Sequence, residues 1–90
     1  SDEDLLFQVM LELGIPLSEK IKQDGKTFYV NDNYLIACFG EIDTALITEI
    51  AKKKPYYAVF RDSSFISDSA MVNFEQVFST YSPKTIRRVL

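Results

Sequence analysis

Ninety residues, 47% of them hydrophobic and including seven Phe and five Tyr, are enough for one domain with a packed interior. The chain has no His, a single Cys and a net charge of −3. These values exclude His-dependent triads, a disulfide framework within the chain and the strongly basic balance of a domain that grips duplex DNA alone. No apolar run approaches the ~20 residues that span a bilayer, and the acidic start, Ser1-Asp2-Glu3-Asp4, lacks the basic region of a secretory signal. A cytoplasmic domain with no membrane partner is expected. Ser1 in place of Met points to excision from a longer parent.

In chain order, Leu5, Leu6, Val9, Met10 and Leu13 recur at helical spacing and predict a helix over 3–13, with Gly14 just past its end. Glu19-Lys20-Ile21-Lys22 is a short mixed edge strand. Asp24-Gly25 is a hairpin turn, and Thr27 to Val30 is the strand that follows it. Asn31-Asp32-Asn33 turns the chain again. Tyr34 to Phe39 is near-continuously apolar, as suits a strand buried on both faces. Asp43 or Thr44 caps a helix over 44–54 that ends in Lys52, Lys53 and Lys54, with Pro55 as its stop. Tyr56 to Phe60 is a second buried strand, parallel to the first through a helical crossover, with the two tyrosines on opposite faces. Arg61 to Asp68 is a polar loop containing Phe65 and Ile66. Ser67 or Asp68 caps a helix running to about Thr80, with Val72, Phe74, Val77, Phe78 and Tyr81 inward. Ile86 to Leu90 is the last strand. The expectation is a single α/β domain over 1–90, ordered α-β-β-β-α-β-α-β, with a mixed sheet flanked by helices.

The richest polar stretch is Asp62, Ser63, Ser64, Asp68 and Asn73. It lies after a buried parallel strand and before a helix, where open α/β sheets bind ligands and helix amides accept anions. Ser63 and Ser64 with backbone amides are candidate contacts to a small ligand or phosphate, and Asp62 a polar anchor. The plainer reading is capping and turn chemistry, because the loop lacks the glycines of a phosphate cradle. Lys52, Lys53, Lys54, Arg87 and Arg88 are candidate phosphate contacts. The alternatives are cations complementing a helix C-terminus and arginines at a solvated strand end. Cys38, inside an apolar run, reads as a small buried hydrophobe. No acidic spacing matches a metal loop or a catalytic dyad.

Asp4-Leu5-Leu6-Phe7-Gln8-Val9-Met10-Leu11-Glu12-Leu13-Gly14-Ile15-Pro16-Leu17 resembles the start of the C-terminal region of type III restriction-modification methyltransferases. Tyr34 to Phe39 resembles a buried strand of that family. Lys54-Pro55-Tyr56-Tyr57-Ala58-Val59-Phe60-Arg61-Asp62-Ser63-Ser64-Phe65 is the most specific match. Ser67-Asp68-Ser69, Asn73 to Gln76 and Thr85 to Leu90 follow in order. The resemblance implies an accessory C-terminal domain of an adenine-specific, S-adenosylmethionine-dependent DNA methyltransferase. The family's Asp-Pro-Pro-Tyr motif and cofactor loop do not occur here, so no catalytic, cofactor or metal residue is carried over. The partners implied are the methyltransferase core, a second methyltransferase chain, a restriction subunit, and DNA through the parent. The expected role is assembly, by methyltransferase dimerisation or restriction-subunit docking. A small-ligand or nucleotide-sensing module built on residues 62–73 and an auxiliary DNA-backbone contact domain are the competing classes.

Overall fold

The structure is a computed structural model, and it describes residues 1–65 and 67–90. Ile66, expected within the loop after the second buried strand, lies outside the described residues. Three helices and five strands follow in the expected order: α1 (Asp2–Leu13), β1 (Ile21–Asp24), β2 (Thr27–Val30), β3 (Leu35–Cys38), α2 (Thr44–Lys52), β4 (Tyr57–Phe60), α3 (Asp68–Tyr81) and β5 (Ile86–Val89). A single 3-10 turn at Asp62–Ser64 follows β4.

Local chemistry sets most boundaries. Ser1 caps α1 through its hydroxyl, which accepts from the Asp4 N–H, and Gly14 closes the helix at φ 73. Asp43 caps α2 and Ser67 caps α3 through the Leu46 and Ala70 amides. Each cap satisfies an amide that has no partner inside its helix. Gly25, at φ 61, takes the first central position of the two-residue β1–β2 turn. Asn31 (φ 51) and Asp32 (φ 61) open the β2–β3 turn, where Asn and Asp tolerate the left-handed region.

The strands form one sheet in sequence order, β1-β2-β3-β4-β5. β1, β2 and β3 are antiparallel neighbours, whereas β3–β4 and β4–β5 are parallel. Alternation along the strands divides the core in two. On one face, Leu6, Val9 and Met10 of α1 pack against Phe28, Val30, Leu35, Ala37 and Val59. On the other, Ile47 and Ile50 of α2 with Phe74 and Phe78 of α3 cover Ile36, Cys38, Ala58 and Phe60. The Phe60 and Phe74 rings meet edge to face at 5.1 Å, a geometry favoured by the ring quadrupole. Cys38 is buried, as its apolar setting implies.

All three helices point the same way. α2 and α3 begin beyond the carboxyl ends of β3 and β4. Asp2 at the start of α1 pairs with Lys26 (3.2 Å) and Arg61 (4.0 Å), which holds that start at the same end of the sheet. The three helix C-termini therefore share the opposite pole.

Several expectations shift. The edge strand lies at 21–24 instead of 19–22, because pairing with β2 runs from Ile21↔Val30 down to Asp24↔Thr27 at the turn. α2 stops at Lys52, since Lys53 is the cap residue and Lys54 turns left-handed at φ 52. Ala70 takes the inward phase on α3, which leaves Val72 and Tyr81 exposed. Tyr56 lies before β4, so its ring meets that of Tyr57 at 4.7 Å and the two do not occupy opposite faces.

Gly40 lets the exit of β3 pass the first hairpin. A Cβ there would stand 2.7 Å from Lys26 Cβ and 2.8 Å from its Cγ. Gly40→Ala is expected to cost about 1–3 kcal/mol, the range for overpacking at a site that must give way. Urea denaturation measures it, and an unchanged midpoint would contradict the close approach.

Candidate functional site

The main chain of the loop after β4 is bonded within its turn and to neighbouring segments, while the Asp62 side chain is exposed. The Asp62 N–H donates to the Leu90 carbonyl at 2.9 Å, and the Asp62 carbonyl accepts from the Phe65 N–H at 3.2 Å. The Ser64 carbonyl accepts from the Ile42 N–H at 3.1 Å, which bridges this loop to the one after β3. Ser63 and Asp68 are exposed. Asn73 lies farther along α3, where its Nδ2 donates to Thr44 Oγ1 at 3.2 Å and straps α3 to α2. The five residues thus have separate surroundings: backbone turn, buried core, solvent and helix–helix contact. Ser64 stands apart, because its buried Oγ has no hydrogen-bond partner among the described residues.

The basic candidates also diverge. Arg87 and Arg88 are successive strand residues and so project to opposite faces. Arg87 Nη2 pairs with Glu75 at 3.2 Å and its guanidinium lies 5.5 Å from the Phe78 ring centre on the α2/α3 face. Arg88 Nη1 reaches Glu12 of α1 at 3.7 Å. Lys52 sits over the Tyr81 ring at 5.3 Å and Lys53 over Tyr29 at 5.6 Å, spread as cations over aromatic faces. Lys54 takes a left-handed conformation at a helix end, where glycine is the residue without a steric penalty.

A concave site lies elsewhere. The α2–β4 link reads Lys54-Pro55-Tyr56 and the α3–β5 link reads Tyr81-Ser82-Pro83-Lys84-Thr85. Because β4 and β5 are parallel neighbours, these links stand side by side at the pole of the helix C-termini. Between them is a cleft of about 520 Å³ walled by Tyr56, Tyr81, Pro55 and Pro83, with Lys54 and Lys84 at its sides. That volume falls within the range of small-molecule pockets, ~300–1,000 Å³. Its walls are tied together below the surface. Thr85 Oγ1 donates to the Pro55 carbonyl at 2.6 Å and also meets Ser82 Oγ, both buried, while the Ile86 N–H donates to the Tyr56 carbonyl at 2.8 Å.

Aromatic rings continue outward from the cleft. Tyr56 stacks on Tyr34 at 5.1 Å with the rings 9° apart, and Tyr57 meets Tyr34 edge-on at 5.8 Å. Partial desolvation, then the neighbouring Tyr57 and Tyr56, raises the Tyr34 phenol above its ordinary pKa, although the residue remains exposed. Burial also raises Tyr29, followed by the Asp24 and Glu49 carboxylates. Both phenols remain neutral farther into the alkaline range. Among the described residues, no three His, Cys, Asp or Glu side chains group so as to hold a metal. The sequence signal for the cleft is the mirrored pattern of Lys, Pro and Tyr at two helix ends.

Two substitutions separate structure from function. Ser64→Ala removes a buried hydroxyl without a described partner and is expected to raise stability by about 1 kcal/mol. A loss of that size would instead reveal a hydrogen bond made by this hydroxyl. Lys54→Gly relieves the left-handed strain and is expected to add about 1 kcal/mol. Urea midpoints at constant slope report both. Compared with known proteins, the chain matches no family model, no curated protein and no solved structure.

Proposed function

We propose that this chain is a non-catalytic assembly domain, of the class its sequence resemblance implies. That class is the accessory C-terminal domain of an adenine-specific DNA methyltransferase of a type III restriction-modification system, working in the cytoplasm. The observation that carries the assembly role is the open edge at β5. The Ile86 and Leu90 amides donate inward to Tyr56 and Phe60. By the alternation of a parallel ladder, the backbone groups of Arg87 and Val89 face outward, unpaired by any strand of the sheet. Ile86, Val89 and Leu90 are exposed beside them. The opposite edge, β1, is guarded by Lys22, Gln23 and Asp24, the usual means of blocking further pairing. β5 carries two charged residues as well, Arg87 and Arg88, but it also exposes Ile86 and Val89, so an added strand would gain both backbone hydrogen bonds and apolar contact.

Charge selects between the assembly roles. Full antiparallel overlap of two β5 copies sets Arg87 opposite Arg88 twice, and like charges directly opposed are destabilising. The edge therefore favours docking a different chain, the methyltransferase core or a restriction subunit, over self-pairing. Among the described residues, no helix is long and apolar enough to cross a membrane.

Val89→Pro tests the edge. Its amide faces outward, so proline is compatible with the native sheet yet blocks an incoming strand. Sedimentation with the methyltransferase core or restriction subunit supplied in trans is expected to show a complex with the wild-type chain and none with Val89→Pro. The variant's thermal unfolding should remain cooperative. A wild-type chain that ignores both partners, or a proline variant that binds equally well, would refute the docking edge.

A further inference from the structure

We propose that the cleft between the α2–β4 and α3–β5 links binds single-stranded nucleic acid, with bases stacked on Tyr56 and Tyr81 and phosphates held by Lys54 and Lys84. Four observations carry it. The cleft is lined by exposed Tyr56, Tyr81 and Pro83 above a buried Pro55, and the exposed three offer flat apolar surfaces to a base. It holds two lysines and no carboxylate, in a chain whose net charge is −3. Among the described residues neither lysine forms an ion pair, whereas Arg61, Arg87 and Arg88 all do. Lys54 also keeps a strained left-handed backbone where glycine would fit freely, which marks its side chain as the reason for the residue.

The arrangement suits a strand. Tyr34 stacks on one face of Tyr56 and Lys52 lies over one face of Tyr81, which leaves one face of each ring for successive bases and continues the positive surface. The buried Thr85–Pro55 hydrogen bond holds both walls at a fixed spacing, so little ordering is needed on binding. A duplex, with its bases stacked inside, offers neither ring a face.

The experiment is fluorescence anisotropy of a labelled oligothymidylate titrated with the 90-residue chain. Binding is expected at about 50 mM salt, weakening about sevenfold at about 200 mM if two single-strand phosphates are contacted. Tyr81→Ala should weaken binding about tenfold while Tyr81→Phe retains it, because the ring and not the hydroxyl does the stacking. Lys84→Ala should reduce the salt dependence. Lys54→Gly should lower affinity while raising the melting temperature, a combination that a purely structural lysine would not give. Lys22→Ala on β1 and Val89→Pro on β5 should leave binding unchanged. No anisotropy change at low salt would overturn the proposal. So would Tyr81→Ala and Lys84→Ala binding like wild type, or Lys22→Ala losing as much as Lys84→Ala. Thymidine monophosphate competing as effectively as the oligonucleotide would overturn the strand as ligand.

Discussion

The parallel pairing of β3 with β4 organises this molecule. Leu35, Ile36, Ala37 and Cys38 are all buried, and they pair residue for residue with Tyr57 to Phe60. A strand buried on both faces requires cover on both faces. α1 supplies one layer, and α2 with α3 the other. A parallel neighbour cannot be reached by a tight turn, so the chain must cross over through a helix. β4 to β5 repeats the same solution. Nearly every other feature follows, including the shared direction of the helices and the adjacency of two similar links.

Much of this was legible from local chemistry. Asp43 and Ser67 are helix starts because their side chains answer free amides, and no tertiary contact is needed to see it. Gly14, Asp24-Gly25 and Pro55 punctuate the chain for equally local reasons. The unbroken apolar run of β3 announces burial on two sides. What eluded the sequence depends on phase and partners. Val72 is apolar yet exposed, because Ala70, Phe74 and Phe78 fix the inward face of α3. The start of β1 is set by its register with β2, which its own mixed residues do not encode. Arg87 and Arg88 look like one patch in a linear reading, but the strand sends each to a different helix.

The candidate site shows the same division more sharply. The loop after β4 clusters polar residues, yet its main chain bonds to Leu90 and Ile42, its Asp62 and Ser63 side chains face solvent, Ser64 Oγ is buried, and Asn73 is spent on Thr44. The cleft lies at the opposite pole, assembled from links roughly 30 positions apart in sequence (Pro55 and Thr85). Each link alone is an unremarkable helix stop. Only the second parallel crossover brings Tyr56 and Tyr81 onto one concave surface. The β5 edge is likewise a property of topology, since any strand's backbone becomes available when it is placed last in the sheet.

The burial of β3 on both faces has a consequence for how the domain comes apart. Leu35 and Ala37 belong to one core, Ile36 and Cys38 to the other, in a single four-residue segment. Neither core can melt while the other stays intact, because the loss of either releases the strand they share. Unfolding is therefore a concerted event, with the slowest amide exchange along β3 and β4 and the fastest at β1 and β5. The marginal elements are the two edges, and one of them, β5, is the strand proposed to dock another chain. Local opening there leaves the interior untouched.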